Sequence, residues 1–131
     1  MAMDIANPEY WEAVVRRGNS DAALNSKAKH LEALTVALEI GKTTRTLEFH
    51  RGQVNLLAAV PLRGTSFRIA GPAEEWRRLV SGEIPYAQAI NVVHGQLRLQ
   101  GDVIASVWAT PAIWELFRAA VSVYKEDVSH G

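Results

Sequence analysis

The chain contains no cysteine, which rules out a disulfide framework, a thiolate nucleophile and a thiolate metal site. It also lacks any excess of charge, since 14 Lys and Arg balance 14 Asp and Glu. With no surplus cations to release counterions from a phosphate backbone, nucleic acid is not expected as a partner. Long hydrophobic runs are missing, and the apolar stretches fall far short of the roughly 20 residues that span a bilayer. Residues 1–18 carry Asp, Glu and Arg where a secretory signal needs an apolar core. The expectation is a soluble, cytoplasmic protein.

The familiar catalytic patterns are absent as well. His30, His50, His94 and His130 are scattered without H-x-H or H-E-x-x-H spacing, so no metal site and no cofactor are expected. Gly64-Thr65-Ser66-Phe67-Arg68 does not form a nucleophile elbow, and there is no phosphate-cradling loop. His94, next to Gly95, reads as a helix C-terminal cap, and Glu74 and Glu75 as helix-start residues. No catalytic residue is assigned.

What is present is a regular change of period. The 131 residues fit a single domain. In NPEYWEAVVRRG, Asn7 is placed to cap a helix, Pro8 suits its first turn, and Gly18 is expected to stop it; Tyr10, Trp11, Val14 and Val15 form its stripe. A weaker helix is predicted over 20–31, opened by Ser20. The spacing then becomes two. Leu34, Val36, Leu38 and Ile40 share one side of a strand, followed by Leu47 and Phe49, by Val54, Leu56, Ala58 and Val60, and by Phe67 and Ile69. Short turns at Gly41-Lys42, Arg51-Gly52 and Arg63-Gly64-Thr65 predict an antiparallel meander over 33–70 with one apolar face.

Residues 71–95 predict two short helices. The first carries Trp76, Leu79 and Val80 and ends at Gly82; the second carries Tyr86, Ile90 and Val93 and ends at Gly95. The octapeptide GQLRLQGD then supplies a fifth strand over 96–101, with Leu97 and Leu99 on one face and Arg98 and Gln100 solvated on the other. Arg98 is placed to meet a polar head group should a site open at that edge. Asp102 caps a helical region over 102–125, whose stripe runs through Val103, Ile104, Val107 and Trp108. A break or kink at Thr110-Pro111 is expected to make its last part a movable lid, with the stripe resuming at Ile113, Leu116, Phe117, Ala120, Val121 and Tyr124.

The order FRIAGPAEEWRRLVSGEIPYAQAINVVHGQLRLQGD resembles the sterol carrier protein type-two family, most strongly over residues 66–104. Members of that family carry an acid-rich helix with a Trp, an "sGe.p..a...g" stretch, and a G-k-l-x-l-x-G-D strand and cap. The resemblance implies an α+β fold: a five-stranded, largely antiparallel sheet with helices on one face, enclosing an apolar tunnel for a fatty acyl chain, sterol or similar lipid. The residues expected to line such a tunnel are Phe49, Leu56, Phe67, Trp76, Leu79, Ile90, Val93, Leu97, Leu99, Ile104, Trp108 and Phe117. Trp114 and Tyr124 are further aromatic candidates, and small residues such as Ala58, Ala59, Ala87, Ala109, Ala119 and Ala120 would either leave room for a ligand or let helices pack closely.

Three functional classes follow. The first is non-enzymatic binding and transport of a hydrophobic small molecule, with transient membrane contact, as a monomer or homodimer. The second is a small isomerase or cyclase, or an enzyme accessory, acting on a steroid- or polyketide-like substrate; a chain that finishes on a helix argues against it. The third is an interaction module using the apolar helix face between Ile113 and Tyr124.

Overall fold

The computed structural model describes residues 4–62, 64–91, 93 and 95–130, with side chains through Asp127. Arg63 of the expected turn, and His94, read as a cap, lie outside the described residues, as does the side chain of His130.

Helix α1, Pro8–Asn19, starts as its sequence dictates, with the Asn7 side chain accepting from the Glu9 N–H at 2.9 Å. Tyr10, Trp11 and Val14 are buried. Gly18 does not stop the helix. It stays helical, and Leu24 Cδ1 of the next helix lies 3.0 Å from where a Cβ would stand, so the glycine serves close packing of the two helices. Helix α2, Ala22–Ala28, opens one residue later than expected, at Asp21 rather than Ser20; the Asp21 carboxylate accepts from Ala23 N–H at 2.8 Å.

Strands β1 (Leu34–Ile40), β2 (Thr43–His50), β3 (Gln53–Leu57), β4 (Phe67–Gly71) and β5 (Arg98–Gly101) form one sheet in the order β3-β2-β1-β4-β5. The first three make the expected antiparallel meander. The fourth does not extend it: β4 lies on the far side of β1 and runs parallel to it, Val36 opposite Phe67 and Leu38 opposite Ile69. β3 accordingly ends at Leu57, and Ala58 and Val60, expected within it, are exposed in the connection that carries the chain across. The physical reason is burial. Between β1 and β5, Phe67 and Ile69 have strand neighbours on both sides, a setting that the outer edge beyond β3 would deny them.

One face of the sheet carries Val36, Leu38, Ile40, Leu47, Phe49, Val54, Phe67 and Ile69, all buried. The other carries Glu39, Glu48, Asn55 and Arg68, where Arg68 Nε donates to Gln100 Oε1 at 2.8 Å. The fold is thus α+β, with a mixed, mostly antiparallel sheet whose apolar face is covered by helices.

Helix α3, Ala73–Val80, and the single turn α4, Tyr86–Ala89, connect β4 to β5. The second helix is much shorter than its stripe predicts, and Val93 is exposed rather than aligned with Tyr86. The chain leaves the helix because Leu97 N–H must reach the Ala89 carbonyl, at 3.0 Å. Gly95 makes that approach feasible: a Cβ there would stand 2.1 Å from the same oxygen.

Helix α5, Val103–His130, starts at Asp102, whose carboxylate accepts from Ala105 N–H at 3.0 Å. The expected break at Thr110-Pro111 is not there, and the helix continues through Pro111. The carbonyl that Pro111 cannot serve belongs to Val107, four residues back, and both residues are exposed. α5 packs on α1, α2 and α3, and Tyr10 Oη donates to the Ala120 carbonyl at 2.7 Å. Among the described residues, no helix is long and apolar enough to cross a membrane.

Candidate functional site

Beside α5, the apolar surface of the helical layer opens to solvent as a groove of about 610 Å³. Its wall on one side is the end of α3, the reversal Gly82–Pro85 and α4; on the other it is the middle of α5. Local chemistry builds this reversal. Gly82 adopts φ +85°, which favours glycine, and a Cβ there would already stand 3.4 Å from Val121 Cγ1 of α5. Arg77 then binds Glu74 at 2.7 Å and Glu83 at 3.1 Å, clamping the last turn of α3 to the residue after the glycine.

The groove floor is Leu79, Ile84, Tyr86 and Phe117, all buried, with Trp114 and Val121 on the α5 side. Phe117 meets Tyr86 at a ring separation of 5.2 Å and Trp76 at 6.1 Å, so the floor is continuous with the core. Burial raises the Tyr86 phenol above its ordinary pKa, which keeps it neutral. Arg118 is the charged residue of the lining; its side chain is mostly exposed, and Nη1 lies 3.8 Å from Glu115 Oε2. An apolar floor with one cation at the rim suits an oily molecule with a polar or anionic end.

The residues expected to line a tunnel are dispersed. Leu79 and Phe117 meet in this groove. Leu56 lines a smaller cavity of about 340 Å³ where β3 ends, with Glu12 and Arg45 among its neighbours. Phe49, Phe67, Trp76 and Leu97 are buried in the core, and Ile90 and Leu99 pack against it. Val93, Ile104 and Trp108 are exposed and lie outside the linings of these two openings. The reason for the last two is the face that α5 turns inward. Its buried positions in this stretch are Ser106, Ala109 and Ala112, small residues that let the helix sit close, leaving the large apolar ones outside.

The alanines divide in the same way. Ala109, Ala119 and Ala120 are buried at helix contacts, whereas Ala87 lines the groove and Ala58 and Ala59 the smaller cavity. Arg98 is exposed at β5 and is not part of the groove lining, a position taken by Arg118. Ile84, Tyr86, Trp114 and Val121 complete the lining beyond the expected set; the Gly82-Glu83-Ile84-Pro85 reversal is the signal that brings the first two there.

Glu75 is more than a helix-start residue. It is buried, its Oε1 accepting from Arg78 at 3.0 Å and its Oε2 from the Gln96 N–H at 3.1 Å. It thereby fixes the approach to β5 against α3. His50 is structural, its Nδ1 accepting from Ala33 N–H at 3.1 Å. Among the described residues, no group of three His, Asp or Glu could hold a metal ion.

No family model matches the chain, and no curated protein matches it. Solved structures do. The chain is similar to a crystal structure of sterol carrier protein 2, at 18% identity and TM-score 0.72, over 89% of this chain and 97% of that one. It is similar to a conserved hypothetical protein of Thermus thermophilus, described as possibly a sterol carrier protein, at 20% identity and TM-score 0.68, over 92% and 90% of the two chains. A UbiJ-SCP2 ubiquinone synthesis protein matches at 19% identity and TM-score 0.60, over 86% of this chain and 96% of that one. These likenesses show that the chain has the sterol carrier protein 2 fold.

Proposed function

We propose that the protein is a non-enzymatic, cytoplasmic carrier that binds one hydrophobic small molecule, of the fatty acyl or sterol class, in the groove between α3–α4 and α5. The observation that carries this reading is the groove itself. Its volume of about 610 Å³ falls among ordinary small-molecule sites, and its floor is aliphatic and aromatic. Burying a hydrocarbon there stabilises the complex by roughly 25 cal/mol per Å² of apolar surface removed from water, with no covalent step. Tyr86, held neutral, and Arg118 at the rim are the titratable side chains of the lining, which supports binding over acid–base chemistry. The sterol carrier proteins of the same fold lend the reading further support.

Arg118 deepens the proposal: an amphiphile with a carboxylate end places its tail over Phe117 and its head against the guanidinium. Titration of a fluorescent fatty acid tests both parts. Ala87→Trp, at an exposed groove position, should weaken uptake by about tenfold, equivalent to about 1.4 kcal/mol. Arg118→Ala should weaken binding of the acid but not of its methyl ester. Wild-type protein that takes up neither fatty acid nor sterol, and releases no lipid on extraction, would refute the carrier reading.

A further inference from the structure

Residues 103–114, VIASVWATPAIW, hold no charged side chain. In the folded protein this uncharged half of α5 shows its large apolar side chains to solvent: Val103, Ile104, Val107, Trp108 and Trp114 are 63, 71, 66, 63 and 54% exposed. At about 100° per residue these five, with exposed Pro111 between them, fall within an arc of about 140° on one side of the helix. A contiguous apolar face of this kind on a folded chain marks an interaction surface.

The surroundings indicate what covers it. The His30 ring, at the end of α2, lies 5.9 Å from Trp108, and Lys27 and Lys29 beside it are exposed. At the other end Arg118 follows Trp114 by one turn and is 74% exposed. An apolar strip flanked by Lys27 and Lys29 at its Trp108 edge and by Arg118 beyond Trp114, with Asp102 before its first residue and two indoles on it, complements an anionic bilayer: indoles favour the headgroup boundary, and Lys and Arg meet the lipid phosphates.

We propose that the face Val103–Trp114 of α5 docks in the plane of an anionic membrane, its side chains entering the headgroup and acyl boundary. Trp114 also lines the groove, so docking brings the groove mouth to the lipid surface. The proposal stands on the exposed face and its charges, whatever the groove holds.

Pelleting with phosphatidylcholine vesicles, with and without phosphatidylglycerol, tests it on the full chain. The protein should pellet with the anionic vesicles, less with neutral ones, and less at raised salt. Ile104→Glu with Val107→Glu, both at exposed positions, should reduce pelleting by about tenfold or more while fatty acid uptake and the circular dichroism spectrum stay unchanged. Trp11 and Trp76 are fully buried, so a shift of fluorescence to shorter wavelength on vesicle binding reports Trp108 and Trp114. It should vanish in Trp108→Phe with Trp114→Phe, which still pellets. Absence of pelleting, pelleting unaffected by the two glutamates, or a concentration-dependent dimer that they abolish would each overturn the proposal.

Discussion

Single residues decide more here than their types announce. Glu75 looks like a helix-start acid, yet it is buried and holds both the Arg78 guanidinium and the Gln96 N–H. Removing an acceptor from buried charged hydrogen bonds costs about 1.5–3 kcal/mol, so Glu75→Ala should lower the urea stability by that amount. Glu75→Gln, which keeps an acceptor, should lose less. Equal losses in the two variants would mean that the bonds to Arg78 and Gln96 are not what Glu75 supplies. Nothing in a single sequence marks Glu75 apart from Glu74, its exposed neighbour that pairs with Arg77, because burial depends on where β5 returns.

At the scale of elements, helices and strands are legible wherever periodicity and capping agree. Asn7, Asp102, Pro72 and Gly82 bound their helices as expected, and the alternation through Leu34–Ile40 and Thr43–His50 becomes paired strand. The reading fails where two rules compete. Pro111 predicts a break or kink, but tertiary packing on α1, α2 and α3 holds α5 continuous. The proline is therefore a cost borne by the helix rather than a hinge. Pro111→Ala should raise the melting midpoint, by about 1 kcal/mol or more in stability, and leave fatty acid uptake unchanged. A variant with normal stability and slowed uptake would restore the hinge. The outward turn of Ile104 and Trp108 is a second case of competition: an apolar stripe was legible, but a stripe of small residues on the opposite side of the helix won the inner position.

The whole molecule is tied together across its length. Tyr10 joins the first helix to the last through the Ala120 carbonyl, Arg17 pairs with Glu126, and Tyr86 packs on Phe117. Burial raises the pKa of both Tyr10 and Tyr86 above the ordinary 10.0. Both phenols therefore stay protonated in the folded state at pH values where the unfolded chain loses its protons. Their contribution is fully present below pH 10 and is lost as the pH rises beyond it, by up to about 1.4 kcal/mol per pH unit for each. Thermal melts between neutral pH and pH 11 should show a steep fall above about pH 10. Tyr10→Phe should flatten that fall while costing about 1 kcal/mol at neutral pH for the lost hydrogen bond. A midpoint that stays level to pH 11 would contradict the burial of both phenols.

The sequence alone determined the class of the fold, most element positions and the apolar face of the sheet, because these depend on period, caps and turns within a few residues of each other. It also carried the order of elements that resembles the sterol carrier family. Only the tertiary structure decided that β4 crosses to pair parallel with β1, that the groove lies beside α5 at Leu79, Tyr86 and Phe117, and that nine of the twelve residues expected in the lining stand outside the groove and the smaller cavity. Those outcomes depend on which faces meet. The rotation of a helix about its own axis is fixed by close packing against partners distant in the chain, which no local pattern encodes.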